Sequence, residues 1–324
     1  MSTYRVAAYR PEWADAWNQL VSQAKNATFL FHRSFMEYHA DRFKDASQCI
    51  FKGDKLVALF PANLKEDQWV SHGGLSYGGL VIPPSVKFNN YVEMLLALFE
   101  AADEQGIIQV VMKAMPDIYC TQPSQELDYL SFIAGAKTLK VESASTIDLR
   151  NPLPIQSNRY EGVKKAKKLG LTIKQSTDFK GFWQEILIPN LEARHEAKPV
   201  HTAEEIAALQ LDFSENIHLF LVYDKSRMVG GCVVFETQTT AHVQYIAAGA
   251  DRQQLGTLDL LFDHLIMMEF DHLNYFDFGI STVDGGLELN SGLLYWKECF
   301  GARTTANKTY GFDPKKTEKL KGLL

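Results

Sequence analysis

The chain has 324 residues, about twice the size of a typical domain, so its length predicts two domains. Hydrophobic residues make up 46% and charged residues 22%, an ordinary globular composition that excludes intrinsic disorder. The formal net charge of −6 excludes a nucleic-acid-binding polycation, so any contact with RNA requires a local basic patch.

The sequence also carries information about its compartment. A run of about 18 apolar residues is absent, so we expect no membrane insertion. The start, MSTYRVAAYRPEWADAW, lacks the pattern of a signal peptide, and we expect a cytoplasmic protein. The cysteines are scattered without a CxxC pair, which indicates buried free thiols: Cys49, Cys120, Cys232 and Cys299.

The first half contains extended stretches, a helix and a glycine-rich segment. Residues 55–62 and part of 69–82 are predicted strands, 91–104 a helix and 107–113 a strand. The glycines of SHGGLSYGG let the backbone approach a ligand closely or adopt positive φ. We interpret this segment as a substrate-facing loop with His72 and Tyr77 as polar contacts. A flexible hairpin or bulge is the alternative.

The second half has the clearest order of elements. A helix is predicted at 159–168, ending at Gly170, then a strand at 171–174 and a helix at 179–196 that Pro189 interrupts. Thr202 and Glu205 form a predicted capping box. Strands are predicted at 217–223, 228–236 and 241–248, a helix at 258–270, a strand at 275–278, a helix at 289–300 and a strand at 302–312.

The order strand, strand, helix, strand recurs in both halves at an offset of roughly 165–175 residues, which indicates an internal duplication. The sequence therefore predicts an α/β (α+β) protein with two similar domains, 1–150 and 151–312. Each domain is expected to be a mixed, mostly antiparallel sheet flanked by helices. The break lies in the polar, proline-containing stretch 148–158, and the charged tail 313–324 is expected to be frayed.

Local segments carry a family resemblance: RYEGVKKAKKLGLTI, VQYIAAG…GTLDLLFDHLI, YFDFGIS, GLLYWKECFGA and, in the first half, FLFHRSFMEYHADRF. Their order resembles the GNAT acyltransferase fold. Two such halves in one chain resemble the FemAB-type transferases and the FemAB-like proteins of bacterial surface-polysaccharide synthesis. The resemblance implies transfer of an acyl or aminoacyl group from an activated donor to an amine. FemAB proteins use aminoacyl-tRNA, whereas most GNAT proteins use acyl-CoA.

The resemblance also implies a loop for the CoA pyrophosphate, Q/R-x-x-G-x-G/A, where backbone amides and a helix dipole favour an anion. The stretch QQLGTL supplies Gln253 and Gly256, but Leu258 replaces the small final residue. A plain strand-to-helix turn is the alternative. We expect no tightly bound cofactor. Acyl-CoA is slightly favoured over aminoacyl-tRNA as the co-substrate, because an acidic protein suits tRNA poorly.

The segment LLYWKECFG resembles the Fem-type FKxxFG segment, which implies that Lys297 stabilises the oxyanion formed during acyl transfer. Tyr295 is an alternative catalytic residue that would donate a proton to the leaving group. The two positions lie roughly 200° apart around a helix, so we do not expect both to face one site. A solvated lysine on an amphipathic helix is the other interpretation.

In a GNAT-like fold, the strand before the pyrophosphate loop borders the acyl group. Strict alternation puts His242 and Gln244 on one face and Tyr245 on the other. Gln244 or Tyr245 is expected to orient the amine. His242 or Asp277 is the candidate general base, because a protonated amine must lose a proton before it attacks. Ser281 is a further candidate for lining the site, and a structural role is the alternative for His242.

The stretch 159–174 is strongly basic. Arg159 matches the arginine that opens this segment in the Fem-type family, and we expect it to bind substrate. Lys164 and its neighbours are expected to hold phosphates of a nucleotide-linked sugar or of tRNA, with a merely solvated face as the alternative. His195 and His201 are six residues apart, which fits no standard zinc spacing, so we expect no metal site.

Together these features predict an N-acyltransferase that acts on an amino sugar, such as a nucleotide-linked one, or on a peptide-like acceptor. The alternative is a catalytically inactive GNAT-like binding module for a sugar or peptide, because the first half has no counterpart of LYWKECFG. Polar residues at Lys297, Tyr245 and Asp277 favour an enzyme.

Overall fold

The computed structural model describes residues 4–195 and 198–324, with the backbone alone for Arg194 and His195. The chain forms two compact units. Unit 1 comprises the residues up to Glu142 together with Asp284–Leu287 and Ala306–Leu324, and unit 2 comprises Ser143–Val283 and Glu288–Thr305.

The elements up to residue 148 are β1 (Arg5–Ala8), α1 (Ala14–Gln23), α2 (Arg33–Glu37), β2 (Gln48–Lys52), β3 (Lys55–Phe60), β4 (Ala62–Lys65), β5 (Gln68–Ser71), α3 (Phe88–Glu104), β6 (Gln109–Lys113), α4 (Glu126–Ala134) and β7 (Lys137–Asp148).

The elements that follow are α5 (Ser157–Leu169), β8 (Thr172–Ser176), α6 (Phe179–Phe182), a π-helical segment (Trp183–Leu187), α7 (Ile188–His195), α8 (Ala203–Asp212), β9 (Ile217–Asp224), β10 (Arg227–Glu236), β11 (Thr240–Ala248), α9 (Arg252–Leu255), α10 (Thr257–His264), a second π-helical segment (Leu265–Glu269), β12 (Tyr275–Ile280), β13 (Thr282–Val283), β14 (Glu288–Leu289), α11 (Ser291–Glu298), β15 (Arg303–Phe312) and α12 (Glu318–Lys321).

Unit 1 contains two small sheets. β1, β2 and β3 form an antiparallel sheet. In the second, β4 pairs antiparallel with β5, β5 pairs parallel with β6, and the end of β15 pairs antiparallel with β6. The helix α3 covers the core of this unit because its apolar residues recur at helical spacing, and Leu95, Leu98, Phe99 and Ala102 are buried.

The sheet of unit 2 runs in the order β7, β12, β11, β10, β9, β8, where β7 contributes its residues from position 144 onward. β8 to β11 pair antiparallel with their neighbours, β11 and β12 pair parallel, and β12 and β7 pair antiparallel. A core of phenylalanines and aliphatic residues lies between this sheet and the helices α5 and α10, and includes Phe262, Phe276 and Phe278.

The predicted duplication is visible in the connections. Unit 1 has β4, β5, α3 and β6, and unit 2 has β10, β11, α10 and β12. In each, an antiparallel pair is followed by a helix that carries the chain to a parallel neighbour, the crossover that parallel pairing requires. The predicted strand at 55–62 is not part of this repeat, because β3 pairs with β2 in the other sheet.

Several helix ends follow the local signals. Gly170 ends α5 in the left-handed conformation, with φ of +77°. Thr202 and Glu205 make both hydrogen bonds of the capping box that begins α8. Pro189 has no amide hydrogen to donate, and the helix adopts π geometry at Trp183–Leu187, immediately before the turn that contains this proline.

The C-terminal tail differs from the frayed segment that we expected. Leu320 of α12 is fully buried in the core of unit 1, so apolar burial holds this charged segment in place. Cys49, Cys232 and Cys299 are buried free thiols, and Cys120 is partly buried. Within the described ranges, none of the helices is long and apolar enough to cross a membrane.

Helix α5 packs closely against the loop before α10. A Cβ atom added to Gly256 would lie 2.2 Å from the carbonyl oxygen of Gly162, so glycine is required here by the neighbouring helix. The Arg159 guanidinium binds Asp259 at 2.9 Å, and Lys165 Nζ donates to the carbonyl of Gln253 at 3.1 Å. These contacts fix α5 on the segment 253–259.

The steric contact at Gly256 gives a test with a matched control. Gly256 and Gly170 both have φ between +70° and +80°, but a Cβ on Gly170 meets no atom within 4 Å. Gly170→Ala is expected to lose about 1 kcal/mol of unfolding free energy, the cost of placing alanine in the left-handed backbone conformation. Gly256→Ala is expected to lose about 1–3 kcal/mol more, because α5 must shift. Urea denaturation measures both variants, and equal losses would contradict the packing described here.

Candidate functional site

A row of polar side chains crosses neighbouring strands of unit 2. Thr146 of β7 lies opposite Asp277 of β12, and Asp277 lies opposite His242 of β11. Their neighbours in the register belong to the apolar core: Ile147, Phe276 and Ala241. Because side chains alternate between the faces of a sheet, the polar row lies on the face away from that core.

The carboxylate of Asp277 is the centre of this row, and the residue is only 3% exposed. Its Oδ2 atom lies 2.8 Å from Nδ1 of His242. Its Oδ1 atom accepts from the Thr146 hydroxyl at 3.1 Å and from the Gly279 amide at 3.1 Å. The carboxylate holds the Nδ1–H tautomer of His242, so the lone pair of the neutral imidazole is at Nε2.

The strands separate next to this pair. Pairing between β11 and β12 ends at His242 and Asp277, although β11 continues to Ala248. On its other side, β12 shifts register after Asp277, where Gly279 adopts φ of +71°. The irregular backbone at Gly279 and Ile280 therefore turns its carbonyl groups out of the regular ladder.

The ammonium of Lys297 binds these carbonyl groups. Its Nζ atom donates to the oxygen of Gly279 at 2.8 Å and to that of Ile280 at 2.6 Å. Lys297 is 3% exposed, and burial lowers its pKa to about 8, while the charge of Asp277 acts in the opposite direction. An ammonium has three donors, and these two carbonyl groups account for two of them.

Tyr295 lies on another side of α11. It is 58% exposed, and a hydrogen bond with Cys299 is the main cause that raises the pKa of its hydroxyl. The contrast with the buried Lys297 agrees with the helical spacing, which separates these two side chains. A role for Tyr295 as proton donor at the Lys297 site therefore stays a prediction that this geometry does not favour.

A bulge changes the expected faces of β11. The pairing register with β10 shifts here. Val233 of β10 pairs with Tyr245 and the next residue, Val234, pairs with Val243, so Gln244 is the extra residue of a β-bulge. Ile246 then packs against the apolar core, and Tyr245 contacts Trp183 outside it. The expected alternation was therefore wrong, because the bulge brings Tyr245 to the same face as His242.

Tyr245 is held by groups from the other side of this face. Its hydroxyl accepts from the amide of His201 at 3.1 Å and lies 2.7 Å from Nδ1 of that residue. Trp183 packs edge-on at 5.1 Å between ring centres and donates its indole N–H to the carbonyl of His201. Burial raises the pKa of Tyr245, so it remains a neutral hydroxyl near pH 7.

Ser281 follows directly after the carbonyl groups that Lys297 binds. It is buried, its hydroxyl lies 3.4 Å from that of Ser145, and its amide donates to the carbonyl of Ser143. Ser281 thus ties the irregular end of β12 to β7. Its predicted contact with substrate stays a prediction.

The predicted pyrophosphate loop has its own internal bonds. The amide of Leu255 donates to the carbonyl of Asp251, and that of Gly256 donates to the carbonyl of Arg252. Two backbone amides of this loop are therefore already used within it. The carbonyl oxygen of Gly162 also covers Gly256, and a carbonyl oxygen disfavours an approaching phosphate.

The basic residues of α5 fall into two groups. Arg159 is half-buried and paired with Asp259, so it has a structural partner within unit 2. Lys164 is exposed and pairs with the exposed Glu161. The helix sequence SNRYEGVKKAKKL contains five basic residues and one acidic residue, so its outer surface is positively charged.

The glycine-rich segment of unit 1 is packed inside that unit. His72 is buried, with Nδ1 2.5 Å from the carbonyl of Tyr77 and Nε2 3.0 Å from that of Leu30. Burial lowers the pKa of His72 to about 3, which keeps it neutral. The Tyr77 hydroxyl lies 2.9 Å from the Thr28 hydroxyl. A substrate contact by His72 or Tyr77 stays a prediction that requires this segment to open.

Some residues of the site were missed by the sequence analysis. Thr146 lies 131 positions before Asp277, and no local pattern connects them. Lys113 of unit 1 was also missed. It resembles Lys297, because it donates to the carbonyls of His72 and Leu75, and burial lowers its pKa to about 8.

Among the residues described, no group of three His, Cys, Asp or Glu side chains could hold a metal. The His195 side chain lies outside them.

Comparisons with solved structures identify the fold. FemX superposes with a TM-score of 0.64 at 12% identity, covering 95% of this chain and 97% of that one. A protein from Agrobacterium fabrum, described as the C-terminal domain of a lysylphosphatidylglycerol synthetase, gives 0.60 at 12% identity, with 96% and 94% covered. L-PGS from Bacillus licheniformis gives 0.59 at 11% identity, with 97% and 95% covered.

No protein-family model matches the chain, and no curated protein sequence matches it. The structural similarity therefore identifies the fold. The chain shares the fold of FemX and of these two synthetase structures, which agrees with the FemAB-like fold that the sequence predicted.

The two buried lysines give a test of the site that does not depend on activity. The pKa of both Lys297 and Lys113 is lowered to about 8, against about 10.4 for an unfolded lysine. The unfolded chain therefore binds more protons between pH 8 and pH 10.4, so stability rises with pH in that window. NMR of ¹³C-labelled lysine ε-carbons should show two lysines titrating near pH 8, assigned with Lys297→Met and Lys113→Met. Titration of all lysines above pH 10 would contradict the burial.

Proposed function

We propose that the protein is an N-acyltransferase that transfers an acyl or aminoacyl group from an activated donor to an amine. The observation that supports this proposal best is the His242–Asp277 pair beside the buried ammonium of Lys297. Acyl transfer to an amine requires a base for the nucleophile and a positive group for the oxyanion. This site contains one of each.

Each step has a residue suited to it. His242 accepts a proton from the amine at Nε2, and Asp277 stabilises the imidazolium that forms. The amine nitrogen then attacks the carbonyl carbon, and the remaining N–H of Lys297 donates to the oxygen that becomes negative. The tetrahedral intermediate collapses to the amide as its nitrogen loses a second proton. The carbon–sulfur or carbon–oxygen bond to the donor breaks, and the leaving group departs as a thiolate, or as a ribose alkoxide that takes up the proton held by the His242 imidazolium.

The loop 251–256 and the helix α5 bear on the identity of the acyl donor. The internal hydrogen bonds of residues 251–256, and the carbonyl of Gly162 over Gly256, argue against a CoA pyrophosphate at this loop. The basic outer surface of α5 lies beside it and suits a longer phosphate chain. We therefore favour aminoacyl-tRNA over acyl-CoA, which reverses the preference expected from the sequence.

The acceptor is proposed on the resemblance. An amino sugar or a peptide-like amine agrees with the FemAB-like group, and a role in surface-polysaccharide or cell-envelope synthesis, with the reaction in the cytoplasm, belongs to the same proposal. FemX and the synthetases resemble this chain in fold. The Agrobacterium fabrum protein is named for lysylphosphatidylglycerol, a product that carries a lysyl group. That name agrees with an aminoacyl donor.

Turnover of defined donors tests the function. Purified protein is mixed with total tRNA charged with labelled amino acids, or with acetyl-CoA, and with amino sugars and lysine-containing peptides as acceptors. His242→Gln is expected to lower acceptor-dependent product formation by about 10²–10⁴-fold, because it removes the base. His264→Gln, which removes a histidine paired with Glu269 in the same unit, is the control and should keep wild-type turnover.

The outcomes separate the parts of the proposal. Product from charged tRNA that His242→Gln abolishes supports the whole proposal. Product from acetyl-CoA alone would overturn the choice of donor. Full turnover by His242→Gln would overturn the assignment of the base, and stabilisation by an acceptor without any turnover would favour the binding module.

A further inference from the structure

The polar row in unit 2 extends beyond the residues that the proposed reaction uses. Thr146 lies next to Asp277, and the Oγ1 atom of Thr305, on β15, lies 3.0 Å from that of Thr146. Four strands thus contribute to one row of polar side chains on a single face: Thr305, Thr146, Asp277 and His242.

The direction of each hydrogen bond in this row follows from chemistry. The Gly279 amide can only donate, so Oδ1 of Asp277 acts as an acceptor. The Thr146 hydroxyl has one proton and gives it to the same oxygen at 3.1 Å. Towards Thr305 the Thr146 oxygen can therefore only accept, and Thr305 must be the donor.

The titratable groups described around the carboxylate come from two other elements. His242 faces it from β11, and Lys297 acts on it from α11. β7 and β15 add hydroxyl groups. Asp277 thus has titratable partners on one side and hydroxyl groups on the other, and a carboxylate with fixed donors on one oxygen has little freedom to rotate.

We propose that Thr146, supported by Thr305, is a positioning residue that fixes the Asp277 carboxylate against the His242 ring during acyl transfer. The inference rests on the proposed function and adds two residues to it. Thr146 touches neither the acceptor nor the donor. It sets the orientation of Asp277, and Thr305 acts only through Thr146.

Valine replaces threonine with almost the same shape and without the hydroxyl, so it isolates the hydrogen bond. Thr146→Val is expected to lower kcat about tenfold, because the Asp277 carboxylate loses the hydroxyl donor that orients it, while KM stays within about twofold of wild type. Thr146→Ser, which keeps the hydroxyl, should restore kcat to within about twofold. A purely structural role would leave kcat unchanged in any variant that stays folded.

A second readout needs no substrate. The proton on Nδ1 of His242 lies in the hydrogen bond to Asp277, so its ¹H NMR resonance reports how the carboxylate is oriented. In Thr146→Val, where the carboxylate loses a fixed donor, this resonance should move or broaden, whereas Thr146→Ser should keep the wild-type position. An unchanged resonance in a folded Thr146→Val protein would overturn the proposal.

A double-mutant cycle tests the order of the two threonines. Thr305→Val should move the His242 Nδ1–H resonance in the same direction by a smaller amount. The double variant should match Thr146→Val alone, because Thr305 acts only through Thr146. Additive changes would overturn this order. If the wild type transfers no acyl group from any donor, the proposed function fails, while the NMR spectra still decide whether Thr146 positions the carboxylate.

Discussion

A buried carboxylate determines how this part of the protein must be built. Asp277 lies between two phenylalanines in the chain and is almost inaccessible, so its charge requires donors from the surrounding strands. The strand register supplies them by setting Thr146 and His242 opposite it on either side. The same carboxylate holds the tautomer of His242 and attracts Lys297. The geometry of the candidate site thus depends on this one residue.

Both units use a lysine in the same way. Lys297 binds two backbone carbonyls at the irregular end of β12, and Lys113 binds two in the glycine-rich segment of unit 1. In each case an ammonium stabilises backbone that has left regular pairing, at the cost of a lowered pKa. Lys297 differs because Asp277 and His242 lie beside it, and for this reason we propose that the reaction takes place in unit 2.

Local signals predicted much of the fold. Gly170, the capping box at Thr202 and the alternation of the strands gave the elements of unit 2 nearly to the residue, because each depends on neighbours in the chain. His242, Asp277 and Lys297 were each singled out from the sequence, and their roles stay predictions. Their contact with Thr146 was not, since it depends on strand register. The bulge at Gln244 and the tight packing of the glycine-rich segment likewise depend on distant partners.

We propose that the Asp277 carboxylate makes this site reactive. Asp277→Asn keeps the shape of the side chain and removes its charge, so acceptor-dependent turnover of this variant is the most direct test. We expect turnover to fall by a factor on the order of 10³–10⁴ while the chain stays folded, because asparagine neither fixes the Nδ1–H tautomer of His242 nor balances the charge of the imidazolium. Wild-type turnover in a folded Asp277→Asn protein would show that the carboxylate is not required.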